Sequence, residues 1–164
     1  MCAGARRSDM PPDFADPVAL SEVLRDRSRH CYWVSERVRW SDTDQVGHVN
    51  NLSITNYCEI GRVNFLQPWL MPDASVRALF LIVRMTTNFL GEVHWPATVD
   101  VGTSVLEVGR SSVRMVHAVF DGERCVATAD SVLVHIDEPT RVAQPIPVAV
   151  LDYLSMYRLA QPHT

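Results

Sequence analysis

The sequence predicts an α+β domain: a curved antiparallel sheet of about five strands wrapped around one long central helix. Three observations predict it. A single amphipathic stretch, apolar at Ile54, Tyr57–Cys58, Gly61 and Phe65, repeats every three or four residues. Four strand-like runs then succeed one another through short connections, which makes them antiparallel neighbours. One helix of about 16 residues cannot cover both faces of five strands, so the sheet has to curve around it. The outer face then needs a cover, and a homodimer is expected to provide it.

Residues 1–31 are set apart by Pro11, Pro12 and Pro17 and by a balance of arginines and acids. The first dozen read as an arm, and 17–29 as a short peripheral helix with Val18, Leu20 and Val23–Leu24 on one side. The domain proper is read over 32–164. Trp33, Val34, Val38 and Trp40 mark a strand ending at Ser41. A loop spans 42–50, and a helix runs from about 51 to 67, with Asn50 or Asn51 as its cap and Pro68 and Pro72 ending it. Strands are expected at 79–90, 98–108, 112–120 and 124–137. Gly109–Arg110 turns the second of these into the third, and Asp121-Gly122-Glu123 signals the last hairpin. A closing helix is expected at 147–159.

Charge and composition exclude several functions. Net charge is −4 and the pI about 5.8, so no overall basic field attracts nucleic acid. All 15 basic residues are arginine. Without lysine there is no phosphate-loop lysine, no Schiff base and no lysine general base. Arginine alone is left to bind phosphate, which its planar fork suits. The cysteines at 2, 31, 58 and 125 form no Cys-x-x-Cys pair, and no two histidines are closer than 18 positions, so no zinc site or other metal site is expected. No cofactor is expected either. The start is polar, without the apolar core of a secretory signal, and no uncharged apolar run is long enough to span a membrane. A reduced cytoplasmic setting is the expectation.

The densest chemistry lies at residues 42–51, Asp-Thr-Asp-Gln-Val-Gly-His-Val-Asn-Asn, between a strand and a helix. A carboxylate at Asp44 can serve as general base or nucleophile. The N–H groups near 49–53 begin a helix and point outward unpaired, ready to hold an oxyanion. That pair suffices for hydrolysis of a thioester, whose thiolate leaves with little protonation. Each residue taken alone also suits an ordinary loop: Asp42 can make an Asx turn, and only the joint pattern favours a site.

The run from Arg39 to Asn51, continued by Tyr57, Glu59, Gly61-Arg62 and Phe65-Leu66, resembles the hotdog-fold acyl-CoA thioesterases, in particular the 4-hydroxybenzoyl-CoA thioesterase-like branch. The resemblance covers roughly 32–160. It implies acyl-CoA as substrate, with Asp44 as the catalytic carboxylate and Asp42 as its structural companion. It implies that His48 shapes the site, that Asn50 and Asn51 stand at the helix start with Val49 beside them, and that Glu59 is the helix glutamate of the catalytic set. Relatives carry a tyrosine where this chain has Ile54; Tyr57 is the nearby candidate to replace it against substrate. Arg110, Ser111 and Ser112 resemble a turn that meets coenzyme A. Thr87, with its neighbours Thr86 and Asn88, is expected to meet a partner subunit's loop, because hotdog sites lie between subunits in a dimer or a dimer of dimers. A non-catalytic acyl-CoA-binding protein and a 3-hydroxyacyl thioester dehydratase are the alternatives. Cys58, His117 and His135 read as packing or hydrogen-bonded sheet residues, and Arg62 as a surface ion-pair partner.

Overall fold

Asp16 accepts the Val18 N–H at 2.9 Å and Pro17 takes the first helical position, starting α1 (Pro17–Leu24). In the computed structural model, which describes residues 16–160, this helix stops short of the expected residue 29. Asp26 instead binds the N–H and hydroxyl of Ser28 and caps a separate turn at Arg27–Arg29. The arm expected over the first dozen residues lies outside the described residues.

β1 (Tyr32–Arg37) is shorter than expected. The Arg39 N–H donates to Asp42 Oδ2 at 2.8 Å, which folds Trp40–Asp42 into a single helical turn before the loop begins. α2 (Asn51–Leu70) runs past Pro68. Proline removes one backbone donor, but the residues around it are packed: Phe65, Leu66 and the flanking Trp69 and Leu70 lie against Val105, Met115, Val150 and Leu154. Four strands complete the sheet: β2 (Leu79–Phe89), β3 (Thr98–Val108), β4 (Ser112–Asp121) and β5 (Arg124–Ile136). The closing helix α3 is confined to Val148–Met156. Beyond it the chain straightens to pair with β3: the Val105 N–H donates to Tyr157 O, and Leu159 N–H to Val105 O.

The sheet is antiparallel throughout, in the order β1-β3-β4-β5-β2. This is the expected curved sheet with α2 in its concavity. Gly61 allows the close approach. A Cβ there would stand 2.8 Å from Val101 Cγ1 and 2.9 Å from Thr103 Oγ1. Near the start of α2, Ile54, Tyr57 and Cys58 pack on Val99, Val101, Val119 and Ala127. Burial pushes the Cys58 thiol up to about 12, so it packs and does not react. Arg62 departs from the surface position expected of it: it is buried, with Nη2 3.7 Å from Glu59, because the helix lies so close to the sheet.

Part of the convex face is covered from within the chain. Leu20 and Leu24 of α1 join Leu106, Val116 and Leu159 in a second, smaller core on that side. Of the two edge strands, β1 and β2, the second exposes Ile82, Val83 and Phe89.

Inside the concavity, a buried polar row crosses three strands. His117 lies 3.1 Å from both Thr103 Oγ1 and Ser131 Oγ. Ser131 donates its only hydroxyl proton to Met115 O, so His117 Nε2 is the donor to Ser131 and Nδ1 accepts from Thr103. Burial, and after it the charge of Arg62, lowers the imidazole pKa to about 3, and the ring is neutral.

Candidate functional site

The loop between β1 and α2 is built around two aspartates with different tasks. Asp42 is structural. Its Oδ2 accepts from the Arg39 N–H and, at 2.7 Å, from the Tyr57 hydroxyl; its carbonyl accepts from the Asn50 N–H and the Ser53 hydroxyl. The bonds from Asn50, Ser53 and Tyr57 tie the loop to the N-cap and first two turns of α2. Burial and the Asp42 carboxylate hold the Tyr57 phenol well above its usual pKa, so it stays a donor.

Asp44 faces outward. Thr43 and Val49 form an antiparallel bridge, and between them the chain turns tightly: the Asp44 N–H donates to His48 O, and Gly47 N–H to Asp44 O. Gly47 adopts φ +94°, which side-chain-bearing residues rarely enter. The Asp44 side chain accepts the Val46 N–H at 2.9 Å through Oδ1. Its Oδ2 lies 3.7 Å from His48 Nδ1, and both side chains are about a quarter exposed (26% and 23%). That separation is too long for a hydrogen bond, so the Asp44 Oδ2 is directed by the turn and not consumed by His48.

The β2–β3 connection supports the loop from beneath. Val93 O accepts the Val49 N–H at 2.7 Å, and His94 Nδ1 donates to Gly47 O at 3.0 Å. His94 therefore steadies the turn that carries Asp44. In the sequence it reads only as part of a loop, because its distance from the 42–51 run, across β2, conceals the contact.

The helix start is narrower as an anion site than expected. The Val49 and Asn50 N–H groups are taken by Val93 O and Asp42 O, and Leu52 N–H by the Asn50 side chain, which caps the helix. Among the described residues the Asn51 N–H is left without a partner, as is that of Ser53 one position past Leu52. Of these two, the Asn51 N–H stands next to the loop.

The other expected residues fall into four groups. Val49, Ile54 and Tyr57 are buried in the core beneath α2, where they hold the loop and line no open site within this chain. Within one chain the side of α2 that carries Ile54 and Tyr57 is the side pressed on the sheet. Glu59 is exposed, about 12 Å further along the helix axis than Asn51, and pairs loosely with Arg62, so it is not brought to Asp44 within one chain. Thr87 shares a strand face with Met85, which packs on that core, and so looks toward α2. Arg110, Ser111 and Ser112 lie at the opposite end of β3 from the loop, roughly 30 Å of strand away. The carbonyls of Arg110 and Ser111 anchor Ile146 and His135, and the Arg110 side chain is exposed. Among the described residues no group of three or more His, Cys, Asp or Glu stands close enough to hold a metal, and no helix is long and apolar enough to cross a membrane.

No curated protein sequence matches the chain. Among solved structures, the PA5185 protein of Pseudomonas aeruginosa strain PAO1 superposes with a TM-score of 0.75 at 23% identity, covering 83% of this chain and 97% of its own. A predicted thioesterase from Bacillus stearothermophilus gives 0.72 at 26% identity, covering 80% and 98%. A Thermus thermophilus thioesterase, solved with coenzyme A and Zn, gives 0.67 at 29% identity, covering 76% and 98%. Residues 38–154 match the family model of the thioesterase-like superfamily. With its long helix held in a curved five-stranded sheet and the Asp42–Asn51 loop at the helix start, this chain belongs to that superfamily and has the hotdog fold.

Proposed function

We propose that the protein hydrolyses acyl-CoA thioesters to a carboxylic acid and coenzyme A. The observation that carries this reading is the placement of Asp44. A partly exposed carboxylate is aimed by one backbone N–H, beside a helix start whose Asn51 N–H has no partner among the described residues. As a general base, Asp44 takes a proton from water as its oxygen bonds to the thioester carbonyl carbon. As a nucleophile, it forms an anhydride that water then opens. In either route the carbonyl oxygen gains negative charge, which the Asn51 N–H and the helix dipole stabilise, and the C–S bond breaks to release thiolate. His48 borders the carboxylate and excludes one approach. The coenzyme A bound to the Thermus thermophilus relative supports the same ligand class here.

The working site is proposed to lie between two subunits. The β2 edge is unpaired and apolar at Ile82, Val83 and Phe89, suited to a second copy of itself. Antiparallel pairing of two β2 edges sets the Leu79 end of one beside the Phe89 end of the other. The Phe89 end adjoins the 42–50 loop through Val93; the Leu79 end, through Ile136 and Val134 of β5, adjoins the 109–112 turn. One subunit's Arg110, Ser111 and Ser112 thereby approach the other's Asp44, and Arg110 becomes a cation for the coenzyme phosphates. Glu59 and Thr87 are proposed to reach a site by the same assembly.

Hydrolysis of an acyl-CoA panel, monitored with a thiol reagent, tests the reading. Asp44→Ala is expected to lose at least about a hundredfold in kcat. Full activity in that variant removes Asp44 from the mechanism. Binding of acyl-CoA without turnover by the native chain makes the protein a binding module instead.

A further inference from the structure

His94, on the connection between β2 and β3, turns both ring nitrogens toward oxygen. Nδ1 lies 3.0 Å from Gly47 O, and Nε2 lies 3.5 Å from Glu92 Oε2. A carbonyl and a carboxylate only accept, whereas a neutral imidazole carries one N–H and one lone pair. The neutral ring can therefore serve Gly47 O only by turning its Nε2 lone pair on the Glu92 carboxylate. The imidazolium presents an N–H to each, and its bond to Gly47 O is charge-assisted.

That bond falls at a sensitive place. Gly47, at φ +94°, also donates its N–H to Asp44 O at 3.1 Å, closing the turn that presents the Asp44 carboxylate. The other bonds within residues 44–48 stay inside the turn or reach only its end at Val49. Among the described residues, His94 supplies the one hydrogen bond that reaches 44–48 from outside.

We propose that His94 is a positioning residue for Asp44, acting through Gly47 O and holding the turn most firmly as the imidazolium. The proposal rests on the proposed hydrolysis, in which Asp44 is base or nucleophile. Two other ionisable groups stand near the ring. The His48 ring centroid is 6.5 Å away, and its Nδ1 is 3.7 Å from Asp44 Oδ2. Its proton acts with the opposite sign: a charged His48 draws on the Asp44 carboxylate, and a neutral one frees it. Arg124 of β5 is held by Glu92 O and Asp121 Oδ2. As pH rises through the range in which imidazoles titrate, loss of the His94 proton weakens the turn while loss of the His48 proton favours turnover.

The kcat of acyl-CoA hydrolysis, measured for the native protein, His94→Asn and His94→Ala at about pH 6.5 and about pH 8.5, tests the proposal. Asparagine sets an amide N–H where Nδ1 stands and does not titrate. The ratio of native to His94→Asn kcat, in which the effect of His48 cancels, is expected to fall about threefold or more between the two pH values, as exchange of a charge-assisted bond for a neutral one requires. His94→Ala is expected to lie about fivefold or more below His94→Asn at both, with KM within about twofold in all three. Solvent exchange of the Gly47 N–H, followed by NMR, gives a readout without turnover: His94→Ala is expected to exchange faster than the native protein, by a factor at least about threefold larger at the lower pH. A native protein that hydrolyses no acyl-CoA removes the proposed hydrolysis and with it the role toward Asp44, whereas a hydrolysing one leaves the role to the variants. The proposal is overturned if the native to His94→Asn ratio is the same at both pH values, if His94→Ala turns over like the native protein, or if Gly47 exchanges equally in both.

Discussion

The Tyr57 hydroxyl donates to Asp42 Oδ2 at 2.7 Å, joining the second turn of α2 to the loop that presents Asp44. Tyr57 is buried, and the bond closes a link between two segments that the sequence sets 15 residues apart. Tyr57→Phe keeps the ring packing and removes only this bond. The expected cost is about 1–2 kcal/mol, in the range for hydrogen bonds to charged groups. Urea unfolding measures it, and thioester turnover is expected to fall with it. An unchanged midpoint together with unchanged kcat would show that the loop is held without this bond.

Gly47 tests the turn itself. Nothing lies within 4 Å of the position a Cβ would take, so the effect of Gly47→Ala is purely one of backbone conformation at φ +94°. The expected destabilisation is about 1–2 kcal/mol. Because Gly47 O also accepts from His94, turnover is expected to drop more than stability implies. Native kinetics in this variant would show that Asp44 tolerates a relaxed turn.

The buried His117 makes stability depend on pH. Its folded pKa, near 3, lies below the ordinary unfolded value of about 6.5. Between these values the unfolded chain binds a proton that the folded one refuses, so stability rises with pH. The contribution is fully present above about pH 6.5 and is lost as pH falls toward 3. At pH 5 the loss is about 2 kcal/mol, at 1.36 kcal/mol per unit. His30, also buried with a lowered pKa for the same reason, acts in the same direction. His117→Gln is expected to flatten the decline of thermal midpoint between pH 7 and 5; a slope equal to the native one would assign the acid sensitivity elsewhere.

The β2 edge is the proposed seat of assembly. Val83→Lys places a charge on an exposed strand edge without disturbing the core. It is expected to convert dimers to monomers in sedimentation velocity and to lower turnover at least tenfold, because Arg110 then no longer approaches a neighbour's Asp44. A variant that is monomeric yet fully active would place the site within one chain.

Much of the fold was legible because its signals are local. The period of Ile54, Tyr57, Cys58, Gly61 and Phe65 reports one buried helix face, and alternating strand runs with short turns report an antiparallel meander. The ends of elements were less legible. β1 stops at Arg37 because a backbone bond to Asp42 bends the chain, and α2 passes Pro68 because distant residues of α3 and β4 pack on Trp69 and Leu70 beyond it. The buried position of Arg62 was hidden for the same reason, since it depends on how closely Gly61 lets the helix approach Val101.

By itself, the sequence determined the fold class, the absence of lysine chemistry and the decapeptide in which Asp42 and Asp44 stand beside a helix start. These depend on residue type and spacing along a few turns of chain. Only the tertiary structure decided how the two aspartates divide their work, with Asp42 bound by Tyr57 and Ser53 and Asp44 left facing outward. It also decided that Val93 and Asp42 occupy the Val49 and Asn50 donors, leaving the Asn51 N–H, and that Arg110 lies at the far end of its own sheet. Each of these is a matter of which groups meet across strands, and a backbone donor has no sequence signature until its acceptor is in place.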